Sequence, residues 1–119
     1  MSAHTDLRAL LLADSVVASL VGTRISADRI EQNATRPFVA YRRTSHVREK
    51  TLDGTVVSDM STFDVQVWAD TRAACQAVAE AIQRVIEAAD QDVATREDLS
   101  DADLDFEGES ITVDWWGST

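Results

Sequence analysis

Alternating carboxylates at Asp101, Asp103 and Asp105 are the arrangement best able to do chemistry in this chain, because side chains spaced by two around a turn can converge on one hard cation. The rest of a calcium loop is missing. Phe106 stands where the sharp turn needs glycine, and Thr112 stands at the twelfth position, which needs a bidentate Glu. A solvated acidic loop is the reading that remains. His4 and His46 lie far apart, neither has a second His or Cys at metal spacing, and His4 belongs to a frayed terminus, so no zinc site is expected. Cys75 falls on the apolar face of a helical pattern, no G-x-S-x-G occurs, and Gly22, Gly54, Gly108 and Gly117 are scattered as turn residues instead of forming a phosphate cradle. The expectation is a protein that is not an enzyme, with no catalytic, cofactor or metal residues, acting by binding.

The chemistry left to such a chain is electrostatic. Its formal net charge of −10 is unevenly spread: residues 1–50 carry a balance of +3 and residues 51–119 a balance of −13. Arg42, Arg43, Arg48 and Lys50 make a basic run, and Asp98, Asp101, Asp103 and Asp105 belong to an acidic one in which only Arg96 stands in opposition. Sequence-independent affinity for nucleic acid comes from neutralising phosphates, so an acidic chain binds DNA poorly unless its cations cluster. An acidic lining suits a conduit through which DNA slides without sticking. The basic run lacks interleaved aromatics, which favours a solvated or subunit-contacting segment over a nucleic-acid patch.

One domain, residues 1–119, fits the length, and a hydrophobic content of 45% is that of a folded protein. A single cysteine allows no internal disulfide and says nothing of the redox compartment. No stretch approaches the ~20 apolar residues of a membrane span, and the N-terminus lacks the pattern of a signal peptide. The expectation is a soluble protein made in the cytoplasm.

The elements that must position these charges centre on residues 61–89. Phe63, Val65 and Val67 alternate with Asp64, Gln66 and Trp68, which predicts a strand with one buried face. After a turn at Ala69 and Asp70, with Asp70 as the helix cap, Ala74, Cys75, Val78, Ala81, Ile82, Val85, Ile86 and Ala89 recur at helical spacing. Ala73, Ala77 and Ala88 form a small-residue flank, ordinary for an Ala-rich helix and also open to a subunit contact.

Upstream, a helix capped near Thr5 carries Leu7, Leu10 and Leu11; it must break at Asp14, which would otherwise enter the apolar stripe. Asp14 or Ser15 caps a second short helix that Gly22 ends, and residues 23–36 form a polar connection anchored by Ile25 and Ile30. Pro37 opens a strand over about 38–44, with Phe38 and Ala40 on one face and Val39 and Tyr41 on the other. It pairs with 59–68 as an antiparallel hairpin through the Asp53-Gly54 turn, and residues 45–58 project from the body as a mobile arm. Val93 and Thr95 alternate in a short strand before the acidic loop. In the last strand, Ser110 to Trp116, Ile111, Val113 and Trp115 share a face; Trp116, opposite them, is an interface anchor or packs under a helix on the sheet's second face.

Taken together, LRALLLADSVVASLVGTRI at 7–25, ADRI at 27–30, PFVAYRR at 37–43, TLDG at 51–54, FDVQVWADTRAACQAVAEAI at 63–82 and REDLSDADLDFEGESITVDWW at 96–116 resemble the tail-completion or tail-terminator proteins of long-tailed phages, prophages and gene-transfer particles. The Trp115-Trp116 ending departs from the alternating aromatic-basic strand more usual there. The resemblance implies an α/β (α+β) fold: a small, mostly antiparallel sheet packed by an N-terminal helical pair and one long helix, with a projecting β-hairpin arm. It implies a structural protein of the virion, at the tail-neck junction and assembled in the host cytoplasm. Its partners would be itself in a ring, typically a homohexamer, the tail tube protein, and the head-to-tail connector or stopper protein. Such a ring caps the tube, ends its polymerisation and joins it to the head, and DNA passes through without specific binding. A head-closure or connector component of the neck, or a host-side binding module, is the alternative. The split of charge fits a ring independently, because cyclic assemblies use head-to-tail contacts: Arg42, Arg43, Arg48 and Lys50 of one subunit could meet Asp98, Asp101, Asp103 and Asp105 of the next, with Trp116 as a further contact. Charge reversal at Arg43 and Arg48 is then expected to weaken assembly and lower its salt sensitivity.

Overall fold

Period two holds along the central strand, β3 (Val56–Ala69): Phe63, Val65 and Val67 are fully buried, while Asp64, Gln66 and Trp68 stay part-exposed on the other side. The computed structural model describes residues 3–27, 36–54, 56–99 and 107–117. In it β3 is flanked by β2 (Phe38–Lys50) and β5 (Glu107–Trp116), with β4 (Asp92–Leu99) outside β5 and β1 (Ile25–Ala27) outside β2. All pairings are antiparallel except that of β1 with β2. Three helices, α1 (Ala3–Ala13), α2 (Ser15–Val21) and α3 (Arg72–Ala88), share one core with the inward residues of this sheet.

The hydrophobic stripe of α3 lands as its spacing predicts: Cys75, Val78, Ala81, Ile82, Val85 and Ile86 are buried, together with Ala79. They meet Phe63, Val65, Val67, Ile111, Val113 and Trp115 from the sheet, each large side chain contributing about 1.5–3 kcal/mol through its removal from water. Leu7 and Leu11 of α1 and Val17 and Val21 of α2 close the core. The break between these two helices falls at Asp14, whose Oδ2 accepts from the Val17 amide at 2.9 Å. Gly22, at φ 61°, follows and its amide bonds the Ala18 carbonyl, an end that a side chain would strain.

Several local expectations are corrected. Thr71, not Asp70, caps α3: β3 runs on through the buried Ala69, which leaves Thr71 extended and its hydroxyl 3.1 Å from the Ala74 amide. Asp70 pairs instead with Arg36 at 2.6 Å. α1 already includes Ala3, so Thr5 lies inside its first turn, and His4 is packed edge-on against Phe63 with ring centroids 5.2 Å apart instead of fraying. Within 23–36, Ile25 is the buried anchor expected, but it belongs to a short parallel strand; Ile30 lies outside the described residues. β5 starts at Glu107, three residues before Ser110, and β4 extends to Leu99. A bulge between Val93 and Thr95 places Val93 against the core while Thr95 pairs with Thr112 on the opposite face.

On the face away from the helices, Phe38 lies opposite Trp68, and the Trp68 ring covers Gly108 so closely that a Cβ there would stand 2.5 Å from it. Val39 and Tyr41 join the main core, as the alternation requires. β5 reaches only as far as the Met60–Trp116 pair. Beyond it β2 and β3 continue as a two-stranded ribbon that gives the molecule its length, 53 Å against 30 and 21 Å. The ribbon turns at Gly54, φ 89°, whose amide bonds the Thr51 carbonyl at 3.0 Å.

Candidate assembly surfaces

The hairpin distributes the basic run over different surroundings. Arg42 is exposed and stands opposite Asp64 on the open face of the sheet. Arg43, which opposes the buried Phe63, donates to the Ser61 hydroxyl at 3.4 Å. Arg48 and His46 both reach Asp59, at 3.2 and 3.1 Å. Lys50 lies exposed at the outer end of β2. The four cations are therefore spread along the hairpin, Arg42 and Arg43 in the body of the sheet and Arg48 and Lys50 beyond it, and two of them, Arg43 and Arg48, are held within the chain.

At the other end of the sheet, Arg72 ties the start of α3 to the last two strands. Its guanidinium donates to the Gly108 carbonyl at 2.7 Å, to Glu107 at 2.6 Å, and to the Leu99 carbonyl and Asp98 at 3.3 Å each. Asp98 is thus engaged inside the chain, though its side chain remains 67% exposed. Asp101, Asp103 and Asp105 lie outside the described residues. The sequence offers one signal for this clamp: a cation in the first turn of a helix opposes the helix dipole, so Arg72 has to be placed there by tertiary partners. Arg72→Ala is expected to cost about 1–2 kcal/mol, a fall of roughly 4–8 °C in thermal midpoint. Arg72→Lys should recover only part of it, since an ammonium cannot span the same acceptors.

A second polar group is deeper. Glu109 is 3% exposed on the helix side of β5, and its Oε1 accepts from Arg96 Nε at 2.5 Å. Arg96 also donates to Gln83 on α3 at 2.9 Å. The hydrogen bond to Glu109 holds the Arg96 guanidinium above its ordinary pKa, against the opposing effect of burial. Nearby, burial pushes the Cys75 thiol up to about 11, with the Glu109 carboxylate adding to the effect. The folded state therefore keeps this proton over a range in which the unfolded chain loses it. Stability is expected to fall as pH rises from about 9 to about 11, and a thiol reagent at pH 8 should label Cys75 only on unfolding. Urea titrations of the parent chain and Cys75→Ala at pH 8 and 10.5 check this, and the extra loss at high pH should vanish in the variant.

Trp116 is 45% exposed. Its backbone is fixed by Gln91, which accepts from the Trp116 amide at 2.7 Å and donates to its carbonyl at 3.0 Å, so the indole is presented from a rigid strand end. The register aligns it with Met60 and with Val47, itself 50% exposed, in an apolar row across three strands on the open face. Of the two placements expected for Trp116, packing under a helix is thereby set aside. A shallow groove of about 380 Å³ between α1 and the end of α3 is lined by Leu10, Ala13, Val85, Ala88 and Ala89, with only the capping Asp14 as a polar group. Among the described residues no His, Cys, Asp and Glu cluster has the form of a metal site, and no helix is long and apolar enough to cross a membrane.

Residues 5–117 match the family model described as tail completion protein gp17. The chain belongs to the tail completion protein gp17 family. It is accordingly a structural tail protein of a virion. Among solved structures, a chain from the virion of a native gene transfer agent (GTA) particle has the same fold: TM-score 0.76 at 18% identity, over 95% of this chain and 92% of that one. No curated protein sequence matches it.

Proposed function

We propose that this tail completion protein forms a ring on the end of the tail tube, most simply a homohexamer, which stops tube polymerisation and presents its other side to the head-to-tail connector. The observation that carries the reading is the separation of charge along the sheet. β3 and β5 run antiparallel, which puts the arm with Arg48 and Lys50 at one end of the sheet and Asp98 at the other, with Arg42 between them in the body of the sheet. Asp98 is level with Val67 through Glu109, and Arg48 is level with Asp59, so at ~3.3 Å per residue the strands hold these two about 26 Å apart along the sheet in one subunit. Opposite charges held apart in this way are suited to meeting between chains, and a head-to-tail contact of this kind closes into a ring when its rotation closes. Trp116, with Met60 and Val47, supplies an apolar anchor for the tube or the connector. The net charge of −10 favours a passage that does not hold a phosphate backbone.

The family and the virion neighbour support this reading; the test is microscopy of particles from a host in which this gene alone is silenced. Overlong or ragged tubes beside unattached, DNA-filled heads are expected. Tails of normal length with leaking or detached heads would transfer the role to head closure, and normal particles would overturn both.

A further inference from the structure

Among the described residues the two edges of the sheet are open and of opposite charge. Among the described residues β4 pairs with β5 alone, so one side of Asp92–Leu99 has no strand beside it. At the opposite edge β1 covers β2 only from Val39 to Tyr41, and no described strand lies outside Thr44–Arg48. Open edges invite pairing with another chain, and proteins normally blunt them with charge and bulges. Both devices occur: a bulge between Val93 and Thr95 and the carboxylates Asp92, Glu97 and Asp98 on β4, and a bulge between Arg43 and Ser45 with flanking cations on β2.

These devices repel like from like. Two β4 edges side by side would oppose carboxylates, and two β2 edges would oppose cations, both unfavourable across a strand pair. β4 beside β2 of another copy opposes unlike charges. The strand directions agree as well: successive antiparallel pairings from β2 through β3 and β5 leave β4 running against β2, so a neighbour in the same orientation meets it antiparallel.

We infer that β4 of one copy adds to the Thr44–Arg48 edge of β2 in the next, so that the sheet continues from subunit to subunit. This rests on the ring reading and specifies its contact as backbone hydrogen bonding reinforced by charge. The pairing is heterologous, so it propagates head to tail; closure of the ring would leave neither edge exposed.

Hydrogen exchange measured by mass spectrometry on the full chain, free and assembled on purified tail tubes, tests it, with the rings counted in the same samples by microscopy. Amides in 92–99 and in 44–48 should slow together by at least about tenfold on assembly, while peptides from the exposed side of α3 change little. Rings without joint protection of these two segments would overturn the edge pairing and leave the ring reading standing. Absence of rings on tubes would overturn the ring reading, and the pairing with it.

Discussion

Arg96→Ala is expected to cost about 3–5 kcal/mol and to lower the thermal midpoint by roughly 10–20 °C. The reason lies in the partner. Glu109 is almost wholly buried, Arg96 is the cation beside it, and the second carboxylate oxygen, Oε2, has no hydrogen-bond partner among the described residues. Removing the guanidinium leaves a carboxylate in an apolar setting with its compensation gone, and it also strips Gln83 of a donor. Removing both charges should hurt far less: Arg96→Leu with Glu109→Leu is expected to recover most of the loss, because a buried ion pair is worth little relative to apolar side chains that fill its space. Thermal or urea unfolding of the four proteins in the cycle checks this. A cost below about 1 kcal/mol for Arg96→Ala alone would show that the pair does not compensate Glu109.

The same pair shows why some features were legible in the sequence and others were not. Inward spacing by two along β5 runs Glu109, Ile111, Val113, Trp115, so a strand begun two residues earlier than Ser110 would have displayed a carboxylate in the buried register. The composition of 107–109 gave no reason to begin it there, since its partner strand β4 is masked by a bulge that breaks the Val93–Thr95 alternation. By contrast the face of α3 and the break at Asp14 are local, set by 3.6-residue spacing and by one side chain reaching an amide three residues on.

Tertiary pairing decided the rest. Asp70 and Thr71 are both competent caps, and the choice fell to Thr71 because Ala69 pairs with Glu107 and holds the strand one residue longer. Three residues cannot announce a strand by alternation, so β1 exists only through its register with Val39–Tyr41. Among the residues proposed for assembly, the exposure of Trp116 and the projecting arm follow from sequence pattern alone. That Arg48 is engaged by Asp59 and Asp98 by Arg72 does not, because each partner comes from another element.

Those internal partners change which charges should be reversed to test the subunit contact. Arg43 and Arg48 are the choice from sequence, but their reversal would also disturb the bonds to Ser61 and Asp59 and confuse assembly with stability. Arg42→Gln with Lys50→Glu is the cleaner pair, at exposed positions of β2, because a neutral residue at 42 sets no second carboxylate opposite Asp64. Like charges brought together at an interface cost several kcal/mol, so occupancy of tube ends is expected to fall about 100-fold in protein concentration at low salt, with little change in unfolding midpoint. Added salt screens the new repulsion as it screened the old attraction, so the salt dependence should flatten or reverse. Reversal at Asp101, Asp103 and Asp105 in the partner population should restore mixed assembly of the two variants; Asp98 is left intact because it serves the Arg72 clamp. If the Arg42 and Lys50 variant caps tubes as the parent does at low salt, the arm and the acidic segment do not meet, and the charge separation along the sheet has another cause.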